Sequence, residues 1–427
     1  MLFKALNSIK STAFKNVMHR NMIVVPRANV SDLKMPVEVS SRISLHRNSL
    51  LKINKVGFKT KFGSRSATPI VLINEGYSSR AVGIWLLLTA GMVLFMICVG
   101  GYTRLTKAGL SMTKWKPIGY RYPRNQEDWD YEFNEYKKYP EYQLATEDVT
   151  LQKFKRIFFI EYFHRLIGNG LGFVFGAPLV YFMGRGYFTR KMKIRMLGLL
   201  GFGGLQGLIG WWMVKSGLKS KPDYQSRPRV STYRLLVHNS CAVFIYSVLF
   251  YHGLILTKQA SKALNEKQFA NVAKSKKAAI LLIHLVALNL LSGVTVAGID
   301  AGKVFNTWPS MNGALVPNNI WRTDLSWRNL FENYATVQFN HRNLAYITYI
   351  ASLMVFLKFR RVNLPKSVRR GINSVFLSVN GQVALGIWML LEQVPVDKGV
   401  LHQLNGMVVL SAAIYLLAAS SRRFILI

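Results

Sequence analysis

Residues 161–183 read EYFHRLIGNGLGFVFGAPLVYFM. Glutamate, histidine and arginine crowd the start, and from Leu166 to Met183 no charge follows. A bilayer needs about 20 such residues per helix. Backbone polar groups find no water in lipid, so a segment of this kind is a helix and not an open strand. Comparable runs recur to the end of the chain, at approximately 81–101, 157–183, 196–215, 233–256, 278–298, 337–357, 372–391 and 401–420. The fold class expected is an all-α integral membrane protein with eight transmembrane helices.

The 427 residues are 50% hydrophobic and carry a formal charge of +37. The basic residues lie between apolar runs and in the N-terminal tail, with no basic stripe interleaved with aromatics, which argues against nucleic-acid binding. The first ~70 residues hold only two acids, Asp32 and Glu38. Leu2, Leu6, Ile9, Ala13 and Val17 fall on one face of a helix with Lys4 and Lys15 opposite, the pattern of a mitochondrial presequence. Connections 184–195, 258–277 and 358–370 are basic, whereas 102–156 holds eight acids and reads as a largely solvated loop with some helix. The basic set then faces the matrix, with both termini. Segment 216–232 is also basic and departs from that rule. Cys98 and Cys241 lie within apolar runs and read as packing residues.

Four histidines, His164, His238, His341 and His402, stand near the starts of the even-numbered runs, at similar depth on the side away from the matrix. Histidine inside a membrane is costly unless used. Two facing helices can clamp a haem iron between neutral imidazoles, so two pairs imply two haem sites. Other metal ions fit less well, because no carboxylate or thiolate joins either pair. His252 lies 14 residues beyond His238, or ~21 Å along a helix, and His284 begins the fifth run at that same matrix end. Structural roles suit these two better than a third haem. His19 and His46 belong to the tail.

The halves repeat each other. GYTRLTKAGLSMTKWKP (101–117) lies over GVTVAGIDAGKVFNTWP (293–309), aligning Gly101 with Gly293. QGLIGWWM (206–213) lies over QVALGIWM (382–389), and the His164–Arg165 pair recurs as His341–Arg342. The expected architecture is two pseudo-symmetric four-helix bundles with parallel topology. It divides into a tail (1–75), an N-terminal bundle (76–270) and a C-terminal bundle (271–427).

Glu161 lies one turn before His164, and its repeat partner is Gln338. Two readings stand: an acid of raised pKa that moves protons beside one haem, or an interfacial glutamate favoured by the helix dipole. Arg165 and Arg342 suit haem propionates or simple snorkelling; Arg104 and Lys116 are weaker candidates. Trp115 and Trp308 read as interface anchors or as packing over a site edge. Gly201, Gly203, Gly204, Gly207 and Gly210 are expected to permit close helix contact.

EYFHR (161–165), VHN (237–239), NHR (340–342), LHQ (401–403) and GGYTRLTKAGLSMTKWKP (100–117) together resemble the haem A synthase family of cytochrome oxidase assembly factors. The resemblance implies oxidation of the C8 methyl of haem O to a formyl group, giving haem A. It implies substrate haem on His164 and His238 with Glu161 as essential acid, and haem B on His341 and His402 as electron relay. It further implies a mitochondrial inner-membrane location, and ferredoxin with its reductase as electron partners. Haem O synthase, cytochrome oxidase assembly factors and a second copy of the chain are possible associates. Bacterial members often carry a cysteine pair in the first external loop; 102–156 has none, so thiol chemistry there is not expected. The source of oxygen stays open between dioxygen, after a histidine leaves the iron, and water attacking an oxidised methyl. The rival class is a bis-histidine dihaem b-type membrane electron carrier, in which Glu161 is dispensable. A transporter or scaffold without chemistry is a third reading.

Overall fold

A computed structural model of the chain describes residues 80–116, 119–144, 148–219, 228–257 and 264–421. The presequence reading, His19 and His46 lie outside these. Among the described residues the protein is helical, with no strand and one isolated bridge between Met311 and Ala314. The helices are α1 (Arg80–Leu105), α2 (Gln126–Tyr136), α3 (Pro140–Gln143), α4 (Leu151–Gly184), α5 (Arg190–Leu218), α6 (Thr232–Thr257), α7 (Glu266–Gly298), α8 (Asn329–Glu332), α9 (Tyr334–Phe359), α10 (Lys366–Leu391) and α11 (Val396–Ser420).

Seven of these are long and apolar enough to cross a membrane, one fewer than the sequence reading expects. The difference is α9. It has 26 residues, but Gln338, Asn340, His341, Arg342 and Asn343 interrupt its apolar character near the start.

Packing follows the order of the chain. The first four long helices close a ring, α1 on α4, α4 on α5, α5 on α6 and α6 back on α1. The last four repeat it, α7 on α9, α9 on α10, α10 on α11 and α11 on α7. The rings touch through α11 against α1 and α6, and through α6 against α7. The core along this seam includes fully buried Leu86, Leu249, Leu282, Leu410 and Leu416. Caps set the entries: Thr150 accepts from the Lys153 N–H, Thr189 from Met192, and Asn265 forms a reciprocal box with Gln268.

The acidic loop is less solvated than its charge suggests. Asn125 caps α2, whose Trp129, Phe133 and Tyr136 pack on Phe154 and Phe158 of α4 together with Met112. This cluster explains why α4 starts earlier than expected and protrudes. His238, His341 and His402 are the seventh, eighth and seventh residues of their helices, whereas His164 is the fourteenth.

Candidate functional site

All four histidines line one continuous cavity of about 1640 Å3. Single-ligand pockets run to roughly 300–1,000 Å3, so this one has room for more than one large ligand. The rings of His341 and His402 meet edge to face, with centroids 6.5 Å apart and planes at 74°. Two metal–nitrogen bonds of about 2 Å each, with a ring half-width of about 1 Å on either side, give roughly 6 Å between trans imidazoles. The pair therefore fits one iron between them. Ser292 Oγ lies 2.7 Å from His341 Nδ1. Gln382 Nε2, whose own Oε1 accepts from Asn405, lies 3.3 Å from His402 Nδ1 and 3.2 Å from its Nε2. In the first half, Nδ1 of both His164 and His238 is buried without a partner. Gln206, the repeat mate of Gln382, donates instead to the His238 carbonyl (2.9 Å).

Every one of these rings lies against a glycine of the preceding long helix. A Cβ on Gly100, Gly210, Gly293 or Gly386 would stand 3.1, 3.0, 3.2 and 3.0 Å from Cε1 of His164, His238, His341 and His402 respectively. The same device thus occurs four times, twice in each half. It corrects the repeat register at one point. Gly101, aligned with Gly293 by sequence, faces Gln403, and Gly100 is the residue at His164.

Four further glycines of α5 do not serve the close helix contact expected of them. A Cβ on Gly201, Gly203, Gly204 or Gly207 would meet nothing within 4 Å. Gly203, Gly204 and Gly207 instead form cavity wall. By the repeat, the second half has Val379, Asn380 and Val383 in their places. The first half is therefore the roomier one.

Glu161 is 2% exposed and fully engaged. One carboxylate oxygen accepts from the Ser111 hydroxyl (2.7 Å) and the Met112 N–H (2.8 Å). The other accepts from Arg165 Nη2 (2.6 Å) and Nε (3.1 Å). Arg165 also donates to the carbonyls of Met112 (2.9 Å) and Lys114 (3.1 Å). Arg342 does the equivalent in the second half, donating to Ser310, Phe305 and Thr307. Each arginine thus fastens the loop preceding its own helix, a use that neither propionate binding nor snorkelling anticipates. Gln338 donates to Phe305 O (3.0 Å), but its Oε1 and the Arg342 Nε are both buried and unpartnered. The ion pair present in the first half is missing in the second.

Arg104 bridges the halves, donating to Gly298 O (3.0 Å) beside Asp300. Lys116 lies over the Tyr120 ring. Trp115 packs against Trp211, and Trp308 donates to Tyr346. His252 contacts Tyr251, and His284 Nδ1 meets Ile280 O; neither is on the cavity wall. Cys98 and Cys241 are free thiols. One wall residue escapes the sequence reading altogether. Glu141, placed in the solvated loop by its acidic neighbours, lines the cavity with one carboxylate oxygen buried and unpartnered. Only its position directly after Pro140, at the start of a turn, hinted otherwise.

The family described as cytochrome oxidase assembly protein (COX15-CtaA) matches residues 83–414. The chain is similar to heme A synthase COX15 of Arabidopsis thaliana, 40% identical over 353 residues covering 83% of this chain and 77% of the relative. It is similar to the human heme A synthase COX15, 34% identical over 418 residues covering 98% and 97%. It is also similar to a heme A synthase–mitochondrial ferredoxin fusion protein of Schizosaccharomyces pombe, 38% identical over 424 residues covering 88% and 68%.

Proposed function

The chain belongs to the cytochrome oxidase assembly protein family COX15-CtaA, and from that premise we propose that it is a haem A synthase of the mitochondrial membrane. It is an oxidoreductase that takes haem O as substrate and oxidises its C8 methyl to the formyl group of haem A. What supports this most is the glycine-backed imidazole, present four times on one cavity wall. The N-terminal pair, His164 and His238, holds the substrate haem. The C-terminal pair, His341 and His402, holds haem B, which when bound supplies one-electron relay.

The chain's own residues bind, orient and enclose. Ser292 and Gln382 fix the imidazoles of the second pair. Arg165 and Arg342 hold the roof loops and retain N–H groups for the anionic propionates. Glu161 keeps a fixed carboxylate beside the substrate haem, which its counterpart Gln338 cannot do. In this reading all eight long helices span the inner membrane as two four-helix bundles, 76–270 and 271–427. A presequence-bearing tail (1–75) precedes them, and both termini are in the matrix. Ferredoxin with its reductase is the electron source, a reading favoured by the S. pombe fusion. Haem O synthase, other assembly factors and a second copy of the chain are further partners.

The test is extraction and mass analysis of the haems in the purified protein. Haem B together with haem O or A is the expected content; haem B alone at both sites would leave only the electron carrier. A sharper test uses the empty space at Gly207. Gly207→Val installs the residue found at 383, and its Cβ meets nothing within 4 Å, so the protein should accumulate normally. Added bulk in a shaped pocket costs about tenfold or more in binding. We expect haem O and A content to fall by that factor with haem B unchanged.

A further inference from the structure

Oxidising a methyl to a formyl group moves protons across the cavity wall. They go inward if dioxygen is reduced there and outward if water supplies the oxygen. Glu161 is poorly placed to be the carrier, because both of its oxygens already accept from Ser111, Met112 and Arg165. Glu141 is different. It sits on α3, outside the spanning helices, on the wall of the same cavity as Glu161, Tyr139 and Lys107, and the residue is partly exposed. Its Oε2 is buried and has no hydrogen-bond partner. An unsatisfied buried oxygen is costly, and a catalytic role is one of the few reasons a protein keeps one.

We propose that Glu141 exchanges protons between the N-terminal cavity and the water outside, its carboxyl O–H breaking as an O–H of water forms, and the reverse. This rests on the haem O oxidation proposed above. The groups facing Glu141 are the Glu161 carboxylate from α4, the Lys107 ammonium from the loop after α1, and the Tyr136 hydroxyl from α2. Burial raises the Glu141 pKa to about 8; the Glu161 charge adds to the rise and Lys107 opposes it. An acid that titrates near working pH suits proton exchange in either direction. The carboxyl is neutral below that value and ionised above it.

Two readouts test this on the full-length, haem-loaded protein. Infrared titration should show a protonated-carboxyl band that disappears as pH rises through about 8 and is absent from Glu141→Gln. That variant should keep both haems and lose haem A formation about 100-fold, together with the limb of the rate profile near that pH. Glu141→Asp should restore part of the rate. Lys107→Gln removes a cation that lowers the pKa, so band and limb should both move to higher pH; this arm serves if Glu141→Gln does not accumulate. An unchanged rate and profile in Glu141→Gln, a band that persists in it, or a limb indifferent to Lys107 would overturn the proposal. Wild-type protein that yields no haem A would instead refute the enzymatic reading on which it rests.

Discussion

Glu161→Ala should abolish haem A formation and loosen the loop between α1 and α4, while leaving haem B in place. The substitution releases the Ser111 hydroxyl, the Met112 N–H and the Arg165 guanidinium at once. Arg165 is partly exposed, at 22%, so water recovers some of its loss. The cost of stranding a largely buried ion-pair partner is still about 3 kcal/mol. Limited proteolysis of residues 111–136 should report the loosening. Glu161→Gln is the more telling variant, because the second half already lives with glutamine at that place. It should fold near-normally, bind both haems, lose haem A formation about 100-fold with the fixed negative charge beside the substrate haem, and retain the rate limb assigned to Glu141, moved to lower pH because the Glu161 charge no longer raises that pKa. The converse, Gln338→Glu, places a carboxylate one turn before Arg342, whose Nε is buried and unpartnered. It should tighten the second loop without creating a second oxidising site. Full activity in Glu161→Gln would reduce this carboxylate to a loop fastener.

The contrast between Glu161 and Glu141 shows where sequence reading ends. Glu161 is legible because it keeps a fixed spacing to His164 on one helix, and helical geometry turns spacing into position. The four histidines and the repeat are legible for the same reason, as are the apolar runs that become helices. Glu141 is not legible. Its neighbours Glu127 and Asp130 are exposed and Asp128 is partly so, and only the preceding Pro140 tells it apart from them locally. The adjoining Tyr142 packs into the cluster that α2 makes on Phe154 and Phe158, a contact between segments that local spacing does not reveal. Arg165 and Arg342 are similar cases. Their charge is visible, but the carbonyls that claim them belong to loops more than thirty residues upstream. The glycines of α5 mislead for a third reason. Composition cannot separate a glycine that admits a helix, one that admits a ring, and one that leaves a cavity empty. The polar start of α9 follows the same logic, since residues serving a site dilute the hydropathy that marks a span.

Gly386→Ala should empty the second haem site, although the residue has no functional group. Its new methyl would stand 3.0 Å from Cε1 of His402, tighter than nearly all such contacts, and the ring would have to move by a few tenths of an ångström. A ligand plane tolerates little of that. Disturbing the support of a metal-bound histidine typically lowers affinity by 10–100-fold. His402→Ala, which deletes the ligand, sets the upper limit of the effect. Gly293→Ala acts on the same site through His341 and should match Gly386→Ala, with haem B lost and substrate haem retained. Gly100→Ala and Gly210→Ala should do the opposite, sparing haem B and depleting haem O and A. The four variants thus sort into two pairs by the haem they lose, and the sorting follows from which ring each glycine backs. A glycine needed only for helix packing would lower protein yield without choosing between haems. Equal loss of both haems across all four substitutions would mean that the rings do not define two separate sites.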